Sequence, residues 1–116
     1  MVTDDFRDFV LEQLRRATPL PISHRPMFGA VGVYAGGAFF AIIDGDEVYL
    51  KADDDTRPAF EERGAGPFLP YDDPDRPMRG YMQLPGELLD DPADLAPWVD
   101  AALGVARRAV RRRPSR

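Results

Sequence analysis

Eighteen consecutive residues without a charge, Pro26 to Ile43, restrict the fold of this chain more than any other feature. The stretch is long enough for a membrane-spanning helix, but it contains four glycines, two of them adjacent at Gly36-Gly37. A glycine pair flanked by Val, Ile, Phe and Tyr is typical of a tight β-hairpin. The stretch therefore predicts two buried strands, Met27 to Ala35 and Ala38 to Ile43, rather than a membrane helix.

The rest of the chain predicts helices before and after a sheet. Further strands are predicted at Glu47 to Ala52, Pro67 to Tyr71 and Met78 to Leu84, the first of them following a turn at Asp44-Gly45. Helices are predicted at Thr3 to Ala17, at Pro58 to Arg63 and near the end of the chain, from Asp91 or Asp94 onward. This order predicts an α+β domain in which about five antiparallel strands form a meander.

Side-chain periodicity predicts which faces are buried. Apolar residues recur at helical spacing in the first helix, at Phe6, Phe9, Val10 and Leu14. The last helix has a longer stripe of the same kind, formed by Leu95, Trp98, Val99, Ala102, Leu103, Ala106 and Val110. In the final strand we expect Met78, Met82 and Leu84 to face the core and Arg79, Tyr81 and Gln83 to face water.

Several kinds of chemistry lack the residues they need. There is no cysteine, and His24 is the only histidine, so thiol nucleophiles and cysteine-based zinc sites are excluded. Asp53-Asp54-Asp55 lacks the glycine and glutamate spacing of a calcium loop, and we interpret it as a helix cap, with Asp55 or Thr56 at the cap position. The glycines of Gly29-Ala30-Val31-Gly32 do not match a phosphate-binding motif and indicate close packing of a neighbouring helix or of a bulky aromatic side chain. We expect no enzyme activity, no metal and no cofactor.

Charge is distributed unevenly along the chain, whose net charge is −5. Residues 1–106 carry 20 acidic and 9 basic residues, whereas the last ten residues carry six arginines. Because an acidic surface repels a phosphate backbone, nucleic acid could be contacted only through this basic tail. Two other roles for the tail are complementing the helix dipole and docking on the acidic surface of its own domain. The tail residues are Arg107, Arg108, Arg111, Arg112 and Arg113.

A second candidate surface combines tyrosines with cations on one sheet face. Its members are Arg25, Tyr34, Tyr49, Lys51, Arg57 and Tyr81. Such a face could bind an anionic ligand or the backbone of a partner, or it could simply be an amphipathic sheet face covered by a helix.

Short motifs in a fixed order resemble the TfoX N-terminal domain. Residues 25–34 read RPMFGAVGVY, close to the R-x-M-F-G-G-x-G-[IL]-Y opening of that family. Gly37, Phe40-Ala41 and 48–53 (VYLKAD) continue the likeness, and later matches extend it to about residue 110. The family implies a bacterial regulator of competence genes that acts with a cyclic-AMP-responsive activator, and it names no catalytic residue.

These observations together predict a non-enzymatic regulatory or interaction module, with transcriptional or competence-type regulation through a protein partner. The alternative is a small-ligand or anion-binding domain that uses the face near Arg25, Tyr49 and Lys51. We expect one domain over residues 1–113, standing alone without the C-terminal TfoX domain, and a disordered end at 114–116. We expect the protein in the cytoplasm and without membrane contact, and the sequence allows a homodimer.

Overall fold

The computed structural model describes residues 2–111, apart from the side chains of Tyr71, Val110 and Arg111. It confirms the α+β fold, with six strands where about five were predicted. The predicted domain boundary at 113 and the predicted disorder at 114–116 lie outside the described residues. The elements in chain order are α1 (Asp4–Ala17), β1 (Ile22–Met27), β2 (Ala30–Ala35), β3 (Ala38–Asp44), β4 (Glu47–Lys51), α2 (Arg57–Glu61), β5 (Pro67–Phe68), a 3₁₀ turn (Pro70–Asp72), β6 (Met78–Gln83), a second 3₁₀ turn (Gly86–Asp90) and α3 (Pro92–Arg111).

The strands form one antiparallel sheet in the order β1-β2-β3-β4-β6-β5. Strands β2, β3 and β4 are the first three predicted strands, and β1, which was not predicted, pairs with the outer edge of β2. The next predicted strand does not follow in order, because β6 rather than β5 pairs with β4, through Leu50 opposite Met82. Strand β5 then pairs with the far side of β6. After β4 the chain first forms β5, at the outer edge of the sheet, and then returns as β6 between β4 and β5. The segment that connects β5 to β6 therefore lies at this edge of the sheet.

The strand predicted over Met27 to Ala35 begins at Ala30 as β2, and its first residues belong to the end of β1 and a turn. The chain reverses at Phe28 and Gly29, where φ is 49° and 81°, and Met27 pairs with Ala30 across this turn. Glycine adopts positive φ without strain, whereas a phenylalanine there is unusual, and this is why the turn was not predicted. The turn predicted at Asp44-Gly45 lies one residue later, at Gly45–Asp46.

Two predictions for the later strands are also wrong. The strand predicted over Pro67 to Tyr71 ends at Phe68, because Pro70 begins a 3₁₀ turn and has no N–H to donate to a ladder. In β6 the face predicted to meet water is partly buried, and Tyr81 is only 7% exposed. Met78, predicted to face the core, is 41% exposed, whereas Met82 and Leu84 are buried as predicted.

Helices α1 and α3 cover one face of the sheet and enclose the main core. Thr3 caps α1 as predicted, its Oγ1 accepting the Phe6 N–H at 3.2 Å, and Asp91 Oδ1 accepts the Ala93 N–H at the start of α3. Helix α1 is rotated so that Leu11 is buried and Phe9, predicted to be buried, is 42% exposed. The core centres on large, fully buried side chains, among them Val10, Leu14, Val33, Phe40, Ile43, Leu50, Met82, Leu95 and Val99.

A buried polar contact anchors α1. Gln13 is 8% exposed, and its Nε2 donates to the Leu89 carbonyl oxygen at 2.6 Å. This bond joins α1 to the second 3₁₀ turn and satisfies a polar side chain that the fold buries. None of the helices in the described residues combines the length and apolarity needed to cross a membrane.

Candidate functional site

The sheet face opposite α1 and α3, called the open face here, has an apolar cluster of its own. Since side chains alternate along each strand, the residues between the core positions project to this second face. Every member of the cluster comes from a strand. The buried members are Ala30, Ile42, Phe68 and Tyr81, with Phe39 and Tyr49 packed against them.

A cavity of about 330 Å³ opens on this face. This volume lies at the small end of the range of ligand pockets, roughly 300–1,000 Å³. The described residues that line it are mainly apolar and aromatic. They are Met27, Phe28, Ala30, Phe39, Ile42, Asp44, Phe68, Pro70, Met78 and Tyr81.

Gly32 provides part of the space for this aromatic cluster. A Cβ atom built at Gly32 would lie 3.1 Å from Met27 Cε and 3.2 Å from Phe39 Cε1. The prediction that a strand glycine admits a bulky aromatic side chain is thus confirmed for Gly32. Gly29 has no such neighbour, and its role is the positive φ of the turn.

Two large apolar side chains border the cavity and are exposed. Phe28, in the β1–β2 turn, is 87% exposed, and Met78, at the start of β6, is 41% exposed. The left-handed conformation of Phe28 costs about 1 kcal/mol or more relative to an ordinary one. Strain of this kind at an exposed aromatic residue points to a role in binding rather than in folding.

Asp44 is the only charged residue among the described lining residues. Its side chain is partly buried, and within residues 2–111 its carboxylate has no hydrogen bond or ion pair. Two other carboxylates, those of Glu47 and Asp72, act on Tyr49 of the open face. Glu47 accepts hydrogen bonds from Tyr49 Oη (2.9 Å) and Gln83 Nε2 (2.7 Å). Burial raises the pKa of Tyr49 well above its usual range, with smaller contributions from Glu47, Asp44 and Asp72.

Five of the six residues predicted to share a binding face lie on the open face, by the register of the strands. The Arg25 guanidinium carbon lies 5.6 Å from the centre of the Tyr34 ring. Lys51 Nζ lies 5.0 Å from the centre of the Tyr81 ring and donates to the Tyr81 hydroxyl at 3.3 Å. Both cations are therefore engaged with aromatic rings of the same face.

The three tyrosines relate differently to the cavity. Tyr81 lines it, whereas Tyr34 and Tyr49 contact lining rings from outside. The Tyr34 and Phe39 ring centres are 5.2 Å apart, and those of Tyr49 and Phe68 are 4.9 Å apart.

Arg57, the sixth predicted residue, is held by a different set of contacts. Its Nη1 pairs with Asp54 at 2.8 Å, and its Nε donates to the Arg79 carbonyl oxygen at 3.1 Å. It thereby joins the start of α2 to β6, and it is not among the described residues that line the cavity.

The sequence analysis missed the residues that shape the cavity mouth, namely Phe28, Phe68 and Met78, and the charge at its edge, Asp44. The one available signal was Phe28-Gly29 inside an uncharged stretch, since a glycine after an aromatic residue allows a turn with positive φ.

The acidic cluster Asp53-Asp54-Asp55 closes the turn before α2. Asp53 Oδ1 accepts the N–H groups of Asp55 (3.1 Å) and Thr56 (3.0 Å), and Thr56 Oγ1 accepts the Asp53 N–H (3.0 Å). Thr56 occupies the N-cap position of α2, one of the two predicted, but its side chain makes no capping bond to the helix. Asp53, which was not predicted as a cap, accepts the N–H groups of the turn instead. Among the described residues, no group of three His, Cys, Asp or Glu side chains could hold a metal ion.

The basic tail begins with an intramolecular contact. Arg108 Nη2 lies 2.7 Å from Asp53 Oδ2, and Arg107 is exposed. Burial alone would raise the pKa of Asp53, but hydrogen bonds from Arg108 and the Thr56 N–H outweigh it and lower that pKa. Docking on the acidic surface is thus observed for Arg108. Arg112, Arg113 and the side chain of Arg111 lie outside the described part of the chain.

Comparison with known proteins assigns the fold and its motifs to a family. No curated protein is significantly similar to the chain. The family model of the TfoX N-terminal domain matches residues 12–106, a span that runs from α1 through the whole sheet and most of α3. The chain therefore belongs to the TfoX N-terminal domain family.

Proposed function

We propose that this protein is a regulatory module that contacts a partner protein through the open face, in transcriptional or competence-type control, and that it is not an enzyme. The observation that carries the proposal is the pair of exposed apolar residues, Phe28 and Met78, beside the cavity of a sheet face without a covering helix in the described residues. Exposed apolar groups around a shaped depression are typical of protein interaction sites. Membership of the family supports a regulatory type of domain.

The chemistry of the cavity supports binding over catalysis. An active site needs a nucleophile or an acid–base pair in mutual reach. The described lining residues offer one carboxylate, Asp44, and one phenol, Tyr81. Burial, with a smaller contribution from Tyr34, raises the pKa of Tyr81 to about 12, so this phenol stays protonated near neutral pH.

The proposal is tested by affinity capture from extracts of the native cell, with matched variants. Phe9 is the control position, because it is 42% exposed on α1, close to the 41% of Met78 on the open face. We expect a partner that is retained by the wild type and by Phe9→Gln but is lost with Met78→Gln. Equal retention by all three proteins, or loss with Phe9→Gln alone, would contradict the proposed surface.

A regulatory role is tested in the cell by transcript levels. We expect deletion of the gene to change a set of transcripts that wild type and Phe9→Gln restore and Met78→Gln does not. Unchanged transcripts on deletion would argue against regulation.

A second candidate function, binding of a small ligand, is favoured by the cavity itself. The volume and the apolar lining fit a small organic molecule.

A further inference from the structure

We propose that the cavity on the open face binds a small amphipathic cation, a single ring or branched hydrocarbon that carries a positively charged nitrogen, with the ring in the cavity and the nitrogen at Asp44. This goes beyond the contact with a partner protein, because it requires only the isolated chain.

The size and lining of the cavity set the apolar part of the ligand. A volume of about 330 Å³ is enough for a ligand the size of one aromatic ring with a short side chain. Ala30 and Ile42 are small or aliphatic and belong to the buried cluster, and Phe39, Phe68 and Tyr81 add ring surfaces. Burying a hydrocarbon against these side chains is favourable, because it removes apolar surface from water.

Asp44 sets the charged part of the ligand. Asp44 is partly buried at the edge of an apolar cavity, and within residues 2–111 no cation or hydrogen-bond donor contacts its carboxylate. A ligand ammonium group would supply both the charge and the donors. An anion would instead meet the Asp44 carboxylate directly.

The aromatic lining favours the same sign of charge. The faces of aromatic rings attract cations. Lys51 already lies over Tyr81, so Phe39 and Phe68 are the lining rings of the strands that a ligand cation would meet. Neither Arg25 nor Lys51 is among the described residues that line the cavity, so the carboxylate and the rings determine its electrostatic character.

Phe28 gives the site a wall at its mouth. Its ring borders the cavity but is 87% exposed, so it gains little from the fold, while its φ of 49° is unfavourable for a phenylalanine. A bound ring would contact Phe28 and bury part of it. The residue therefore has a use in the bound state that it lacks in the free one.

The test is an NMR titration of the purified full chain with two probes of similar size and opposite charge, 2-phenylethylamine and 3-phenylpropionate. We expect the amine to shift the methyl signals of Met27, Ile42 and Met78 saturably, with a dissociation constant on the order of 1 mM, as a good ligand of this size reaches. The acid should bind at least about tenfold more weakly, a ratio that corresponds to about 1.4 kcal/mol. Equal binding of the two probes, or no saturable shift with the amine, would overturn the proposal.

Variants separate the two parts of the site. Asp44→Asn should remove the preference for the amine, whereas Asp46→Asn, an exposed neighbour outside the described lining, should preserve it. Phe28→Asn should weaken binding of both probes without unfolding the chain. An unchanged preference in Asp44→Asn, or its loss in Asp46→Asn, would refute the role of Asp44.

One further probe identifies the source of the cation. A Phe-Lys dipeptide blocked at both ends carries the same chemistry on a peptide backbone. We expect it to bind more weakly than the free amine, because its backbone must also fit the mouth. Tighter binding of the dipeptide would assign the cavity to the side chains of a partner protein and overturn the small-molecule assignment.

Discussion

Phe28 has a backbone conformation that phenylalanine rarely adopts. Among the described residues it is also the most exposed of the large apolar side chains. In a two-residue hairpin turn with positive φ at both positions, Asn-Gly is the favoured pair. The fold alone would therefore favour asparagine at this position, and the proposed binding surface gives the phenylalanine a role that the fold does not.

Replacing Phe28 tests this interpretation. We expect Phe28→Asn to leave the free energy of unfolding unchanged or to raise it by up to about 1 kcal/mol, because left-handed strain is relieved and little buried surface is lost. Urea unfolding measures the change, with Gly29→Ala as a control that should lower stability, since it places a side chain at φ of 81°. A clear loss of stability in Phe28→Asn would show that Phe28 serves the fold.

Tyr81 predicts a dependence of stability on alkaline pH. Its pKa is raised from 10.0 to about 12 in the folded chain, because burial disfavours the charged phenolate. A raised pKa stabilises the fold fully below the unfolded value, and this contribution is lost as pH rises from about 10 toward 12. The free energy of unfolding should decrease between pH values below 10 and pH near 12, and this decrease should be smaller in Tyr81→Phe than in wild type. The same fall in both proteins would contradict the burial of Tyr81 on the open face.

At the scale of elements, the Arg108–Asp53 pair joins α3 to the loop before α2. Side chains of both partners are only 34% and 21% exposed, so the pair is less screened than an ordinary surface pair. We expect Arg108→Gln to lower the free energy of unfolding by about 1 kcal/mol, the upper end for pairs near the surface. The neighbouring variant Arg107→Gln should have no effect, because Arg107 is exposed. Equal effects in the two variants would show that total charge, not this contact, matters.

Trp98 connects α3 to α2 by an aromatic contact at the rim of the core. The Trp98 side chain is half-buried rather than fully buried. Its ring centre lies 5.0 Å from the ring centre of Phe60, and the two ring planes meet at 72°. The Arg63 guanidinium carbon lies 5.5 Å from the centre of the Trp98 ring. We expect Trp98→Leu and Phe60→Leu to show a coupling energy of about 1 kcal/mol in a double-mutant cycle, as edge-to-face pairs do. Additive losses in thermal or urea unfolding would indicate that the two rings do not act as a pair.

Turns and helix starts that depend on one or two neighbouring residues were predicted well. Gly36-Gly37 defines the β2–β3 hairpin, and Thr3 defines the start of α1, because a turn and a cap each depend on one or two residues. The β1–β2 turn was missed because Phe28 contradicts the usual turn preference. The burial of Gln13 was missed because its partner, the Leu89 carbonyl, is distant in sequence.

At the scale of the whole molecule, the sequence predicted the tyrosines and cations of one sheet face but not the cavity between them. Alternation along a strand places Tyr49 and Lys51 on one face, and this holds whatever the topology. The cavity depends on β6 pairing with β4 and β5 with β6, which brings Phe68 and Met78 to the open face. Such long-range pairing is not encoded in any local pattern.

The proposed function requires the open face, rather than the helical face, to be the surface that binds. Since the chain has no cysteine, one cysteine at Met78→Cys or at Phe9→Cys can carry a photo-activated cross-linker to either face. The decisive measurement is the yield of cross-linked partner from each labelled protein in native cell extract. We expect a partner adduct from position 78 and little or none from position 9. An adduct from position 9 alone, or equal yields from both positions, would contradict the proposed function.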